Sequence, residues 1–193
     1  MINSTFRALA SNSIPNGLVP ELLKRFSSAE GYMLYPDVIT LFQALRLRKQ
    51  RLSNPSRVLV GILTNSDDRV QSILSSLGIQ VGPQRYGMEA EGPHDKSKVC
   101  NDIDFVALSY DIGFEKPHKR IFDAAKEMAV SFEEEDVHCL HVGDDFEKDY
   151  RGAEAAGWQG MLLDRDGQYA SHGISRIREL AELQSYAAIK DAT

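Results

Sequence analysis

Three aspartates crowd one short stretch of the chain: Asp144, Asp145 and Asp149, in His138-Cys-Leu-His-Val-Gly-Asp-Asp-Phe-Glu-Lys-Asp149. The apolar run from Val137 to Val142 reads as a buried strand, and Gly143 allows a sharp turn at its end. A helix from Phe146 to Ala156 would put Asp145 and Asp149, four residues apart, on one face with their charges converging. Carboxylates so placed repel unless a cation lies between them, and Mg²⁺ is the hard ion that oxygen ligands of this kind suit. The same residues also suit a simpler reading, an aspartate N-cap followed by a solvated acidic first turn.

Two other polar positions sit at comparable places. Arg57-Val-Leu-Val-Gly-Ile-Leu-Thr64 is almost continuously aliphatic, as expected of a strand buried on both faces, and it ends in Thr64-Asn65-Ser66. Gly113-Phe-Glu-Lys-Pro117 is a turn that carries Lys116 just ahead of a helix from His118 to Met128. Taken alone, Thr64 reads as a helix cap and Lys116 as a loop lysine. His118 suits a cap or a solvent-facing position. His141 lies within an apolar strand and reads as a satisfied core histidine, while Tyr150 and Trp158 read as packing residues.

The elements that must position these groups alternate. Strands at 57–64, 105–109, 137–142 and 160–164 are separated by helices at 67–77, 118–128 and 146–156, the first of them closed by Gly78. This order predicts parallel strands with helices on both faces: an α/β, three-layer, doubly wound Rossmann-like domain. Ligands of such sheets bind beyond the carboxyl ends of the strands, where Thr64, Lys116 and Asp144 all fall. Upstream, helical spacing is present at 18–26 and again at 38–48, where Asp37 is placed to cap. Residues 80–101 carry Gly82-Pro83, Gly87 and Gly92-Pro93 and read as a long surface loop. The tail from Ile174 to Ile189 reads as an amphipathic helix that packs on the sheet or on a partner.

Bulk properties narrow the classes further. A chain of 193 residues, 42% hydrophobic, can bury one ordinary core. Its net charge of −6 argues against nucleic acid and anionic membrane as partners, and no apolar run reaches spanning length. The two cysteines, Cys100 and Cys139, read as reduced thiols, so a cytoplasmic protein is expected.

Together, the strand ending in Leu-Thr-Asn65, the lysine of Glu-Lys-Pro117, and Val-Gly-Asp-Asp145 with Asp149 resemble the haloacid dehalogenase superfamily, in its capped, phosphatase-like branch. The resemblance runs from about Gly31 to Gly167. It implies that Thr64, Asn65 and Lys116 bind a phosphoryl group, and that Lys116, Asp144 and Asp145 form the surviving catalytic set. It also implies a metal group of Asp144, Asp145 and Asp149, in which Asp144 holds Mg²⁺, Asp145 assists and Asp149 chiefly orients its neighbours. The family's first motif, a strand ending in Asp-x-Asp whose first aspartate attacks phosphorus, has no counterpart upstream of Thr64. Asp102-Ile-Asp104 has the spacing, but it precedes a strand instead of ending one and is rejected as a replacement.

Residues 19–32 resemble the end of a cap, so residues 1–30 are read as an arm with a cap remnant and residues 31–193 as the core domain. On this reading the central nucleophile strand is missing or replaced. The strands ending at Thr64 and Val142 are then expected to pair directly, or else residues 1–14 or a partner chain fills the slot, strand exchange in a homodimer being one route. The functional expectation is a repurposed pocket that binds a small molecule, a phosphate-like ligand or a partner, or supports non-phosphatase catalysis. The alternatives are a Mg²⁺-dependent phosphatase of a phosphate monoester whose N-terminal motif is absent from this chain, and a structural subunit.

Overall fold

The computed structural model describes residues 15–51, 58–88, 101–132 and 137–185. In chain order the elements are α1 (Leu18–Arg25), α2 (Pro36–Arg51), β1 (Gly61–Thr64), α3 (Val70–Ser76), β2 (Val81–Arg85) and β3 (Ile103–Leu108). There follow α4 (Ser109–Ile112), α5 (Lys119–Phe132), β4 (Leu140–Gly143), a π-helical turn (Phe146–Arg151), α6 (Gly152–Ala155), β5 (Gln159–Leu163), β6 (Arg176–Ile177) and a 3-10 turn (Leu180–Glu182). Every strand pairing is parallel, as the alternation of strands and helices requires. No helix among the described residues is long and apolar enough to cross a membrane.

The strands form two sheets of three, ordered β1-β3-β2 and β4-β5-β6. β1 runs in register with β3, Gly61 opposite Phe105 and Thr64 opposite Leu108. β4 runs beside β5, Leu140 opposite Gln159 and Gly143 opposite Leu162. The expected direct pairing of the strands that end at Thr64 and Val142 is therefore corrected: β1 and β4 lie in different sheets. Residues 1–14, the other expected filler of the slot, lie outside the described residues.

This division also changes the burial expected of the Thr64 strand. Ile62, Leu63 and Thr64 are only half-buried, whereas every residue of β3 is buried. The difference follows from the pairing, since β3 has a strand on each side and β1 has one among the described residues.

One helix layer spans both sheets. Ala125, Met128 and Ala129 of α5 pack on Phe105 and Ala107 of β3. Ile121 and Phe122 of the same helix pack on Ala153 of α6, with Leu63 and Trp158 alongside. On the opposite face Val106 and Leu108 meet Phe42 of α2 and Val70 and Leu74 of α3. Burying each of these large side chains contributes about 2 kcal/mol, so β3 and α5 are the spine of the core.

Four expectations of local structure need correction. The described part of the loop expected over 80–101 contains β2, an edge strand, while residues 89–100 lie outside the described residues; Pro83 is exposed in β2, where a missing N–H costs no ladder bond. Gly82 lies so close to the Asp104 carbonyl, 2.7 Å from where a Cβ would stand, that no side chain fits, and the register slips between Val81 and Gln84. Asp37 does not cap the second helix; it lies in the first turn, accepts the amide of Leu180 at 2.7 Å and pairs with Arg165 at 3.1 Å. Of the amphipathic helix expected over 174–189, the described part forms β6, a 3-10 turn and a helical stretch over 183–185, because Ile177 is taken into the sheet beside Leu163; residues 186–189 lie outside the described residues. The helix expected from Phe146 opens as a wide π turn.

Asp102 and Asp104, the rejected Asp-x-Asp pair, are buried and structural. Arg46 forks onto Asp102, which also accepts the amide of Gln80 at 2.8 Å. Lys49 reaches Asp104 at 2.7 Å, and Asp104 accepts the amide of Val60 at 2.8 Å. Together these bonds buckle α2 onto the amino ends of β1 and β3, the end away from Thr64.

Candidate functional site at the carboxyl ends of β1 and β4

At the end of β1 the Thr64 side chain is half-buried, and its hydroxyl makes no hydrogen bond to a described residue. Asn65 turns towards the loop that precedes α5. Its amide nitrogen donates to the carbonyl of Lys116 at 3.1 Å, and its amide oxygen accepts the Lys116 N–H at 2.7 Å. This two-way brace fixes the lysine's backbone to the strand end. Gly113, at φ +77°, supplies the left-handed turn that lets the chain leave α4 and enter the loop.

The Lys116 ammonium then spans the two sheets. It donates to the carbonyl of Leu63 in β1 at 2.9 Å and to Oδ1 of Asp149 at 2.6 Å. Its side chain is 11% exposed. An ammonium carries three protons, so these two bonds leave one for a ligand.

Asp149 is buried, 5% exposed, and its carboxylate is fully engaged. Oδ1 is shared by Lys116 and by Nε2 of His141, 3.0 Å away, while Oδ2 accepts the amide of Asp145 at 3.0 Å. Burial alone would raise its pKa, but the bonds from His141, Lys116 and the Asp145 amide overcome burial and hold it well below the usual carboxylate range. Gly143 makes room for this arrangement, because a Cβ there would overlap the Asp149 carboxyl group.

Asp145 and Asp144 have different surroundings. Asp145 is the N-cap of the π turn, in extended backbone conformation, and accepts the amides of Glu147 at 3.0 Å and Lys148 at 2.9 Å. The Lys148 amide and then its ammonium, 3.0 Å from Oδ2, lower the Asp145 pKa. Asp144, at the turn itself, is exposed and has no hydrogen bond or ion pair with a described residue.

The three carboxylates thus do not converge. Asp145 stands outside the helix, and its carbonyl accepts the amides of both Asp149 (2.8 Å) and Tyr150 (3.3 Å), a wide winding that turns Asp149 inward. Among the described residues no three His, Cys, Asp or Glu side chains are grouped to hold a metal ion. The capping reading of Asp145 describes its observed contacts. His118 is exposed and accepts the Arg120 amide at 3.2 Å, and Trp158 packs edge-on against Phe122 at 5.6 Å, both as expected.

What sequence reasoning missed is the partner of His141. A usable signal existed: residues two apart in a strand share a face, so His141 lies on the side of Gly143, the side where the chain has left room.

Residues 7–157 match the haloacid dehalogenase-like hydrolase family. The chain belongs to that family. It is 32% identical over 179 residues to an uncharacterized protein of Saccharomyces cerevisiae, covering 86% of this chain and 51% of that one. It is 36% identical over 89 residues to a glyceraldehyde 3-phosphate phosphatase of Methanopyrus kandleri, covering 40% of this chain and 36% of the relative. The chain spans about half the length of the first two curated relatives it matches. Among solved structures, the putative HAD-hydrolase YfnB of Bacillus subtilis bound to magnesium superposes with a TM-score of 0.58 at 19% identity, over 96% of this chain and 68% of that one. That likeness establishes the haloacid dehalogenase-like fold.

The donor set tests whether magnesium suits this member of the family. Mg²⁺ takes one or two carboxylates, several waters and ligand oxygens. Asp144 fits in kind, a free oxygen donor at the mouth of the site, whereas Asp149 is committed to Lys116 and His141.

Proposed function

We propose that Thr64, Asn65, Lys116 and Asp144 bind a phosphate monoester or a similar anion together with Mg²⁺, and that covalent hydrolysis needs an attacking carboxylate beyond these residues. One observation carries the reading: Lys116 is held almost out of water with two of its protons committed, one of them to the carbonyl of Leu63, the residue before Thr64. Buried ion pairs are poor stabilising devices, since desolvation offsets most of their attraction. A site that keeps one at the carboxyl ends of parallel strands is better explained by an anionic ligand than by the fold. In this reading the Thr64 hydroxyl and the third Lys116 proton face the ligand's oxygens. Asp144 holds the cation, which when bound supplies positive charge against the same oxygens. The similarity to a phosphatase that acts on glyceraldehyde 3-phosphate supports a phosphate ester as the ligand class.

The division between the sheets supports a second part of the reading. An extended segment from a strand-donating partner, or from a second copy of the chain, would pair with β1 and β4 and bring its end to Thr64 and Lys116.

Calorimetric titration of inorganic phosphate, with and without MgCl₂, tests the site. Binding is expected to require Mg²⁺, to weaken at least about tenfold in a folded Lys116→Met variant, and to lose its Mg²⁺ dependence in Asp144→Asn. Phosphate binding indifferent to Lys116→Met would remove the basis of the proposal. Release of phosphate from p-nitrophenyl phosphate by this chain alone, abolished by Asp144→Asn, would overturn the need for a further carboxylate.

A further inference from the structure

We infer that His141 is a positioning residue, which holds Asp149 turned inward to Lys116 and so leaves Asp144 as the carboxylate free for the cation. The inference rests on the reading of Lys116 as an anion-binding group. Its geometry is independent of that reading. His141 is buried, and its Nε2 lies 3.0 Å from Asp149 Oδ1, the oxygen that also takes the Lys116 ammonium.

An ionised carboxylate has no proton to give, so the ring must be the donor, and the proton stands on Nε2. The ring cannot swing away. Phe122 meets it edge-on with centroids 5.4 Å apart and 88° between planes, and Trp158 does the same at 6.5 Å and 74°. The imidazole is therefore fixed by α5 and by the residue that leads into β5, two elements of the core.

The winding of the π turn brings Asp149 to the inner side, and three contacts hold its carboxylate there: Lys116, the Asp145 amide and His141. Of these, Lys116 is the group being positioned, and the Asp145 amide moves with the same turn. His141 alone among them belongs to a strand. It is thus the rigid reference from which Asp149, then Lys116, takes its place. The division of labour between Asp149 and Asp144 follows, one carboxylate committed to the lysine and one left at the mouth.

The test has two arms on the full chain, one of which needs no ligand. The first measures how fast acetic anhydride modifies Lys116, read by mass spectrometry. The second measures affinity for inorganic phosphate with MgCl₂ by calorimetry. His141→Leu is expected to speed Lys116 acetylation severalfold and weaken phosphate binding about tenfold, as losing a hydrogen bond to a charged group does. His141→Gln, whose amide nitrogen can reach the place of Nε2, is expected to restore both. Should His141→Leu fail to fold, His141→Asn, polar but too short to reach Asp149, is expected to behave in the same way. Wild-type acetylation rate and affinity in a folded Leu or Asn variant would overturn the inference. If wild-type protein binds no phosphate, the anion-site reading fails, and the acetylation arm still decides the role of His141.

Discussion

Asp149 shows how a buried charge is made tolerable. A lone carboxylate out of water would take up a proton, but here each oxygen has a donor, Lys116 and His141 on one and the Asp145 amide on the other. Its lowered pKa has a direct consequence for stability. The carboxyl group binds a proton more readily in the unfolded chain than in the folded one. Its stabilising share is therefore complete above about pH 4, the ordinary aspartate range, and is lost as pH falls from there towards the folded-state value. Asp149→Asn is expected to be less stable than wild type by about 2 kcal/mol at pH 7, with the gap narrowing as the medium is made acidic. Urea unfolding at pH 7 and pH 3 measures it, and an equal gap at both would show that the charge is not what Lys116 and His141 stabilise. Sequence reasoning singled out Lys116, Asp145 and Asp149 and read His141 as a core histidine. It could not say which carboxylate met the lysine, because that depends on the room left by Gly143 and on the winding of one turn.

At the scale of elements, the strand ends were legible and the edges were not. Aliphatic runs and glycine turns are local signals, so β1, β3, β4 and β5 all fall within or beside their expected spans. β2 was hidden by Gly82-Pro83, a pair that reads as a turn yet is accommodated on an edge strand with a slipped register. The Asp102-Ile-Asp104 pair, set aside as a nucleophile because it was expected ahead of its strand, lies at the amino end of β3 with Asp104 inside the strand, and both carboxylates are committed to other work. Asp104 joins α2 to β1 through Lys49 and the Val60 amide, with both charged side chains nearly buried. Asp104→Ala leaves the lysine charge unpaired in that position and is expected to cost about 3 kcal/mol. Chemical denaturation measures the loss, and a change of less than 1 kcal/mol would mean that Lys49 simply moves into water.

The whole molecule is organised by what joins the two sheets: α5 across one face and Lys116 at the strand ends. Among the described residues β1 and β4 each pair on one side, while β3 pairs on both. Amides of Ile103–Leu108 are accordingly expected to be the slowest to exchange with deuterium, and those of Gly61–Thr64 and Leu140–Gly143 at least about tenfold faster, as edge strands open more readily. Equal protection of β1 and β3 would show that an added strand covers the inner edge. By itself, the sequence determined the order of the four strands β1, β3, β4 and β5 and of the helices between them, and put Thr64 and Asp144 at strand carboxyl ends with Lys116 just ahead of a helix. Periodicity and turn chemistry are properties of neighbouring residues, and the family's motif order is written in them. Only the tertiary structure decided that Asp149 serves the lysine, that His141 joins it, and that the strands divide into two sheets. Each of those outcomes depends on which distant groups meet, and on how burial is shared between them.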